Sequence, residues 1–217
     1  MKKKVWLWNH YATGMSVNQG GRHYWFAQEL KKEGYDPVIF CANTFHSERE
    51  PIVLDGNKYK EEVVGDIPFV YVETRPYTGN GIDRILNMTM FYRNLFPVAK
   101  DLAKKYGKPN VIIASSVHPL TMVAGIQVAR RFRLPCICEV RDLWPEAIFA
   151  FGKAREKSIL GKLLVLGEHW IYKNADAIIF TKEGDIDYLR EKRWDVAQGG
   201  DIDLKKCHYI NNGVNLK

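Results

Sequence analysis

The sequence predicts a doubly wound α/β fold, in which a mostly parallel sheet is covered by helices on both faces. Short apolar runs alternate along the chain with stretches in which apolar residues recur at helical spacing. Several of those runs are apolar at nearly every position, which is typical of strands buried on both faces. The chain has 217 residues, 46% of them hydrophobic, so it can bury such a core without disulfides or metals.

Two strand–helix units open the chain. Residues 5–8 are apolar throughout and predict the first strand, and a polar, glycine-containing loop over 9–20 follows it. Helical spacing over 21–33 predicts a helix that ends at Gly34, and residues 37–41 predict the second strand. After a polar loop over 43–60, residues 62–73 predict a hairpin that turns at Gly65-Asp66.

The second half of the chain continues the alternation. An amphipathic stretch over 82–106 predicts a long helix, which leads to a strand over 111–114. The remaining elements are, in order, helix 120–132, strand 136–140, helix 156–173, strand 177–180, helix 183–192 and strand 207–210. This order predicts a Rossmann-like sheet, whose ligands bind at the carboxyl ends of the strands near the point where the strand order reverses.

Charge limits the classes of partner, and cysteine content bears on the cellular compartment. The net charge of +7 favours anionic partners such as nucleic acid, sugar nucleotides or acidic lipids. The basic residues are spread along the chain without a nucleic-acid-binding motif, so we expect no nucleic-acid partner. No C-x-x-C pair, membrane-length apolar run or signal-peptide core is present, so we expect a soluble, cytoplasmic protein with free thiols.

Two of the loops that follow strands have residues suited to phosphate or sugar. Gly20-Gly21 stand directly before a predicted helix, where backbone N–H groups can approach a phosphate and the helix dipole favours negative charge. A tight turn explains the same glycines without a ligand. His118 follows the strand over 111–114 and can donate a hydrogen bond to a sugar hydroxyl or act as a general acid or base. A capping histidine is the alternative.

The segment after the strand over 136–140 concentrates charge around an indole. Arg141, Asp142 and Glu146 can hydrogen-bond sugar hydroxyls, while Trp144 can stack on a pyranose ring. A surface ion pair between Arg141 and Asp142 would explain the same segment without a ligand. After the next predicted strand, Lys182 can contact a phosphate or simply begin a helix.

Two further patterns have structural explanations beside functional ones. We expect no metal at the D-x-D triplets over 185–187 and 201–203, because the first opens a predicted helix and the second lies in a polar loop. The helix over 82–106 interleaves Phe91, Tyr92 and Phe96 with basic residues. That pattern predicts either a surface for an anionic membrane or an aromatic stripe that faces the core.

Three stretches together resemble the N-terminal domain of the family 4 retaining glycosyltransferases, in particular bacterial members that build capsular, O-antigen or other exopolysaccharides. They are Gly20-Gly21-Arg22-His23-Tyr24, Arg141-Asp142-Leu143-Trp144-Pro145-Glu146 and Ile210-Asn211-Asn212-Gly213-Val214. The resemblance covers nearly the whole chain. It implies one Rossmann-like half of a GT-B enzyme, with residues 1–217 as the acceptor-side domain and the C-terminal nucleotide-sugar-binding domain absent.

The resemblance implies a role for each matching residue. Gly20 and Gly21 match the loop that faces the donor pyrophosphate, and His118 matches a catalytic histidine near the donor sugar. Arg141, Asp142, Trp144 and Glu146 match a loop on the acceptor side. The implied donor is a UDP- or GDP-linked sugar, and the implied acceptor is lipid-linked or another glycan. No metal is implied, because fixed hydrogen-bond donors stabilise the leaving diphosphate in this family.

The same resemblance limits what the chain can do alone. Catalysis needs donor and acceptor held in one closed cleft, so we expect residues 1–217 alone to show no turnover. The inner face of the membrane is a candidate docking place. Two alternatives stay open: a nucleotide-sugar oxidoreductase or epimerase, which would need a G-x-G-x-x-G fingerprint that the first strand lacks, and a non-catalytic Rossmann-like module that docks on a membrane or a biosynthetic partner.

Overall fold

One sheet of eight strands organises the chain, in the order β3-β4-β2-β1-β5-β6-β7-β8. The computed structural model describes residues 2–46, 49–79, 81–150 and 155–213. The strands are β1 (Lys4–Trp8), β2 (Asp36–Ala42), β3 (Tyr59–Val64), β4 (Ile67–Val72), β5 (Val111–Ser115), β6 (Cys136–Val140), β7 (Ala177–Phe180) and β8 (Cys207–Tyr209). Strand β3 pairs antiparallel with β4, and the other pairings of the sheet are parallel.

Seven helices accompany the described strands. They are α1 (Thr13–Asn18), α2 (Arg22–Lys32), α3 (Ile82–Tyr106), α4 (Pro119–Phe132), α5 (Trp144–Ala150), α6 (Ile159–Asn174) and α7 (Asp185–Glu191). Single 3-10 turns, Val196–Gln198 and Leu204–Lys206, precede β8.

The central strand β1 divides its side chains between two cores. Trp6 and Trp8 face one core together with residues of α3, α4, α6 and α7, whereas Val5 and Leu7 face a second core with residues of α2. Alternation along a strand sends successive side chains to opposite faces, so apolar residues at every position require helices on both sides. The predicted doubly wound, mostly parallel fold is therefore confirmed.

Several elements differ from the expected ones. Helix α1 occupies part of the loop expected over 9–20, and α5 forms from Trp144 onward where a loop was expected. Both helices have fewer than two full turns of sequence, too few for an apolar period to be visible. Helix α6 begins at Ile159 rather than near 156, because the Ser158 hydroxyl caps it by accepting from the Gly161 N–H.

The aromatic stripe of α3 faces the core. Phe91 is fully buried, and the Tyr92 hydroxyl donates to Gln127 on α4 at 2.9 Å. Arg131 lies over the ring of the partly buried Phe96, 4.8 Å from its centroid. Of the two interpretations of this pattern, the core-facing one is confirmed, because these rings fill the space between α3 and α4.

Candidate active site

The fold brings two histidines to the crevice where the strand order reverses. Strand β2 pairs with one side of β1, and β5 pairs with the other side. The strand order therefore reverses between β1 and β5. His10 lies just beyond the carboxyl end of β1, and His118 lies just beyond that of β5. Ligands of doubly wound sheets bind at this point of the carboxyl edge.

The two rings form a buried, uncharged pair. His10 Nδ1 and His118 Nε2 lie 2.5 Å apart. Burial, followed by the neighbouring His118, lowers the pKa of His10 well below its usual value. Burial, followed by the charge of Arg84, lowers the pKa of His118 to about 3. Both rings are therefore neutral at pH 7, and one nitrogen of the pair donates to the other.

Each ring also has a nitrogen that points away from the pair. His118 Nδ1 is buried and has no hydrogen-bond partner among the residues that the structure describes, whereas Asn87 lies beside His10 and acts on its pKa through a side-chain hydrogen bond. An unpaired polar atom in a buried position costs free energy, so such atoms are often found where a ligand supplies the partner. His10 is held in place by stacking on Phe91, with ring centroids 4.5 Å apart.

A more accessible wall of side chains adjoins this pair, which we call the aromatic rim (Tyr11, His46 and Tyr77). Tyr11 stacks on His46 with centroids 4.8 Å apart, and His46 Nδ1 lies 2.9 Å from the Tyr77 hydroxyl. Arg84, at the start of α3, donates from Nε to the Tyr11 hydroxyl at 2.9 Å. Aromatic faces beside a guanidinium suit a sugar ring and its anionic substituents.

Sequence reasoning gave no role to the aromatic rim. Tyr11 follows β1 by three residues, and its position at the carboxyl end of a central strand could have identified it. His46 and Tyr77 belong to separate loops with no motif, so only the fold shows that they are neighbours.

A second cluster surrounds Glu139, a charged residue within the apolar strand β6. The carboxylate is fully buried and accepts from Arg22 Nε at 2.7 Å and from Ser115 Oγ at 2.6 Å. His23 Nε2 lies 2.9 Å from its second oxygen, within hydrogen-bonding distance although the two are not well aligned. Burial alone would raise the pKa of Glu139, but His23, Ser115 and Arg22 outweigh it and hold that pKa well below its usual value. Sequence reasoning missed this role, although a single carboxylate in an apolar strand was a usable signal.

Arg22 connects this cluster to the end of the described chain. Besides Glu139, its guanidinium donates to the carbonyl oxygens of Ile210 at 2.9 Å and Asn211 at 2.7 Å. The stretch over 210–213 is thereby held beside the N-terminus of α2. Val214, the last residue of that motif, lies outside the described residues.

The predicted glycine loop lies at the same edge. Gly21 precedes α2 with φ of 111°, a conformation that strains other residues, and an added Cβ would lie 3.1 Å from Met15 Cγ. His23, two residues on, is joined through Asn9 to the loop of His10, since Asn9 Nδ2 donates to His23 Nδ1 at 2.9 Å. Phosphate contact at Gly20 and Gly21 stays a prediction, and the Gly20 N–H donates to the Met15 carbonyl at 3.3 Å in this structure.

The predicted acceptor residues are not gathered at one point. Trp144 Nε1 donates to the Val117 carbonyl at 2.7 Å, which fixes this loop beside His118. Asp142 forms an exposed ion pair with Lys182 at 2.8 Å, rather than with Arg141. Glu146 points toward α7, where Lys192 lies 3.0 Å away. The structure therefore joins Trp144 to the crevice, pairs Asp142 with Lys182 at the surface and turns Glu146 toward α7.

Beyond Glu146 lies another buried carboxyl. Glu168 on α6 accepts hydrogen bonds from the hydroxyls of Tyr172 and Tyr188, each at 2.7 Å. Burial raises its pKa to about 7, against the effect of those hydroxyls. Tyr188 and Lys192 have the Tyr-x-x-x-Lys spacing that the oxidoreductase or epimerase alternative would also need, but here they contact Glu146 and the buried Glu168. This cluster ties α5, α6 and α7 together.

The aspartates of the D-x-D triplets have local partners. Asp185 accepts from the Lys182 N–H, Asp187 pairs with Arg190, and Asp201 pairs with His169 and Lys173. Asp203 accepts from the Lys205 N–H. Within residues 2–46, 49–79, 81–150 and 155–213, no group of three or more His, Cys, Asp or Glu residues has an arrangement that could hold a metal ion. None of the helices described there is long and apolar enough to cross a bilayer.

Comparison with known proteins gives a family and a fold. The glycosyl transferase 4-like domain matches residues 20–198. No curated protein matches the chain. A sucrose-phosphate synthase structure from Thermosynechococcus elongatus has a TM-score of 0.59 at 16% identity, over 98% of this chain and 91% of that one.

Two longer structures share the fold. A UDP-glucosyltransferase from Polygonum tinctorium has a TM-score of 0.54 at 11% identity, over 97% of this chain and 52% of that one. The Anabaena protein HepE, solved with UDP and glucose, has a TM-score of 0.51 at 11% identity, over 98% of this chain and 45% of that one. The chain thus spans about half the length of these two proteins. Since the family match covers most of the sequence, the chain belongs to the glycosyl transferase 4-like domain family.

Proposed function

We propose that this chain is the acceptor-side domain of a retaining glycosyltransferase. Its donor is a UDP- or GDP-linked sugar, and its acceptor is a lipid-linked or other glycan of bacterial surface polysaccharide biosynthesis. Family membership and the Rossmann-like fold support glycosyl transfer in general. One observation supports a role for particular residues. The neutral His10–His118 pair lies where the strand order reverses, beside the aromatic rim.

The electrostatics favour a hydrogen-bonding role for His118. A general base works best with a pKa near the operating pH, and burial lowers the pKa of His118 to about 3. A neutral ring can instead use its unpaired Nδ1 toward a hydroxyl of the donor sugar. The ring is covered in this structure, so a sugar reaches it only after side chains near the crevice move aside.

The other predicted residues then take positions around that contact. Gly21 offers its backbone N–H toward the donor pyrophosphate without a metal, and Gly20 joins it only if its N–H leaves the Met15 carbonyl. The Trp144 indole N–H is occupied by Val117, so only the face of its ring is left for a sugar. Asp142 can accept from an acceptor hydroxyl if its exposed pair with Lys182 opens.

An assay of sugar transfer tests the proposal. The protein expressed from its natural reading frame is given UDP- and GDP-sugars with lipid-linked and free glycan acceptors, with and without EDTA. We expect transfer that EDTA does not reduce, retention of the anomeric configuration, and a fall of about 100-fold in kcat/KM for His118→Ala. Residues 1–217 alone should show no turnover.

Each result discriminates between the proposals. Inversion of the anomer, inhibition by EDTA or full activity in His118→Ala would each contradict the mechanism. Transfer by residues 1–217 alone would contradict the requirement for a second domain. If no donor–acceptor pair reacts, the alternative of a non-catalytic binding module stands instead. A Lys60→Gln variant, at an exposed site on β3 far from the crevice, is the matched control and should keep the wild-type rate.

A further inference from the structure

The side chain of Asn87, on α3 beside His10, is fully buried and has one possible orientation. Its Nδ2 donates to the Arg75 carbonyl at 2.6 Å and to Thr44 Oγ1 at 2.9 Å. A carbonyl oxygen can only accept, so the atom of the amide that faces Arg75 must be the nitrogen. The amide oxygen of Asn87 is therefore turned away from these two residues.

That oxygen is turned toward His10. Phe91 follows Asn87 by one turn of α3 and stacks on the His10 ring, which places the ring against this part of the helix. Asn87 Oδ1 and His10 Nε2 are not aligned as in a regular hydrogen bond, but both are buried and neither has another partner among the described residues. Burial and His118 lower the pKa of His10, and the Asn87 side chain opposes them. A hydrogen bond does so when the ring donates it, because the bond then favours the protonated form.

The position of this proton determines which nitrogens of the histidine pair donate. A neutral His10 with its proton on Nε2 has a bare Nδ1, which can only accept. His118 Nε2 lies 2.5 Å from that atom and must therefore be the donor. His118 is neutral as well, so its one ring proton is on Nε2 and its Nδ1 is bare. The buried Nδ1 of His118 is then an acceptor without a donor among the described residues.

Beyond Asn87, the contacts continue to the main chain. Asn43 donates from Nδ2 to the Ile52 carbonyl at 3.1 Å, and its Oδ1 accepts from the Thr74 N–H at 2.8 Å, so this amide has a fixed orientation too. The Thr74 hydroxyl donates to the same Oδ1 at 3.1 Å. It lies 2.9 Å from the Thr44 hydroxyl, which must then donate to Thr74 and accept from Asn87.

All of these contacts donate in one direction. We call them the relay, whose six members are buried and come from α3 and from the loops after β1, β2, β4 and β5: His118, His10, Asn87, Thr44, Thr74 and Asn43. Each member donates to the next one in that order. Reversing the relay would turn the amide oxygen of Asn87 toward the Arg75 carbonyl, leaving a buried acceptor without a donor.

We propose that the relay fixes His118 Nδ1 as a hydrogen-bond acceptor for an O–H group of the substrate, with Asn87 as the positioning residue. A histidine that can exchange tautomers either accepts or donates, whereas a fixed one selects groups that donate. The assignment of that hydroxyl to the donor sugar rests on the proposed function. The tautomers do not, so they are testable without any sugar.

The first test is ¹⁵N NMR of the histidine rings of the 217-residue chain at pH 8, where bare and protonated ring nitrogens have well-separated shifts. We expect protonated Nε2 and bare Nδ1 in both His10 and His118. Asn87→Ala removes the acceptor for His10, so the Nδ1 shift of His118 should move toward the protonated range as the tautomers mix. A protonated His118 Nδ1 in the wild type would overturn the proposal, and an unchanged shift in Asn87→Ala would overturn the role of Asn87.

A matched control separates the relay from the loss of a buried amide. Asn94 is on the same helix and donates to the Glu73 carbonyl at 2.9 Å, but it lies outside the relay. Asn94→Ala should keep the wild-type ring shifts. Circular dichroism and the melting temperature show whether each variant is folded. If Asn87→Ala does not fold, the wild-type shifts still decide whether His118 Nδ1 is an acceptor.

The second test uses the protein expressed from its natural reading frame and donor sugars in which each hydroxyl in turn is replaced by hydrogen or by fluorine. Fluorine cannot donate a hydrogen bond. At the hydroxyl that His118 contacts, both replacements should lower kcat/KM at least about 10-fold, and this loss should disappear in His118→Ala. Asn87→Ala should also lower kcat/KM about 10-fold for the natural sugar, while Asn94→Ala keeps the wild-type value.

The outcomes separate this proposal from the proposed function. A fluorinated sugar that keeps its activity where the deoxy sugar loses it, in a manner that depends on His118, would overturn the proposal, because Nδ1 would then be the donor. So would a set of sugars in which no position depends on His118. If no sugar is transferred although the rings have the expected tautomers, the proposed function alone is contradicted.

Discussion

Two buried histidine clusters lie side by side at the carboxyl edge of the sheet, and they differ in charge. His23 faces the carboxylate of Glu139, which also accepts from Arg22 and Ser115. His10 instead contacts another histidine through Nδ1, and neither ring has a carboxylate partner among the described contacts. Asn9, which donates to His23, directly precedes His10 in the sequence. The two clusters are therefore connected through the peptide bond between these residues.

The difference teaches how burial acts on the same residue type in two settings. A buried carboxylate that accepts from a guanidinium and a hydroxyl stays ionised and fixes the groups around it, because removing the guanidinium would leave its charge uncompensated. Two buried imidazoles without a carboxylate instead remain neutral. The Glu139 cluster therefore holds the backbone in place, whereas the His10–His118 pair leaves His118 Nδ1 available to a ligand.

Among the variants that test this difference between the clusters, Glu139→Gln should have the largest effect on stability. It leaves the Arg22 guanidinium buried without its counter-charge, so we expect the free energy of unfolding to fall by about 3–5 kcal/mol. Urea denaturation followed by fluorescence measures the change. Glu29→Gln removes an exposed partner of Lys32 and should cost less than about 1 kcal/mol. Equal losses in the two variants would show that the Glu139 cluster is not held by charge.

The pH dependence of stability tests the neutral pair. Because burial lowers the pKa of His118 to about 3, the unfolded chain binds more protons than the folded one below pH 6.5. The contribution of His118 is therefore fully present above pH 6.5 and is lost as the pH falls toward 3. Between pH 7 and pH 5, wild type should lose about 2 kcal/mol more than His118→Gln.

The wild type must be compared with His118→Gln, because Glu168 changes the stability with pH in the opposite direction. Its pKa is raised to about 7, so its contribution is present below the unfolded pKa and is lost as the pH rises through 7. Urea titrations of both proteins at pH 5, 6 and 7 give the comparison. Parallel pH profiles for wild type and His118→Gln would contradict a buried neutral ring.

At the carboxyl edge of the sheet, the strands could be predicted from the sequence better than the side-chain contacts between them. Apolar runs located the strands that are buried on both faces, and the position of His118 after β5 followed from its strand alone. The partner of His118 could not be predicted, because His10 is 108 residues away and is brought near only by the pairing of β1 with β5. Sequence adjacency also suggested a pair between Arg141 and Asp142, whereas the fold gives Asp142 the distant Lys182.

Gly21→Ala should produce a loss of intermediate size. The positive φ strains any other residue, and the new Cβ would meet Met15, so we expect about 1–3 kcal/mol of destabilisation. Thermal unfolding measures it. Gly14→Ala in α1 adds a methyl group with no atom within 4 Å and should leave stability unchanged or slightly raised. A Gly21→Ala variant as stable as the wild type would show that this loop adapts, and that the glycine is not required by the backbone.

The smallest effect on stability is expected at the acceptor loop. Asp142 and Lys182 are 60% and 58% exposed, so Asp142→Asn should change the free energy of unfolding by less than about 1 kcal/mol. In the transfer assay the same variant should raise the KM for the acceptor. A large loss of stability would place Asp142 with the structural residues, beside Glu139, rather than with the ligand-binding ones.

The contrast between the two clusters can be measured directly by NMR of the histidine rings, with ¹⁵N-labelled chain titrated from pH 8 to pH 5. The account predicts that His10 and His118 stay neutral throughout, as burial requires. It also predicts that, in the protein expressed from its natural reading frame, a nucleotide sugar together with a glycan acceptor shifts the ring signals of His118 while leaving those of His23 in place. Protonation of His118 near pH 6.5, or ligand-induced shifts at His23 with none at His118, would contradict it.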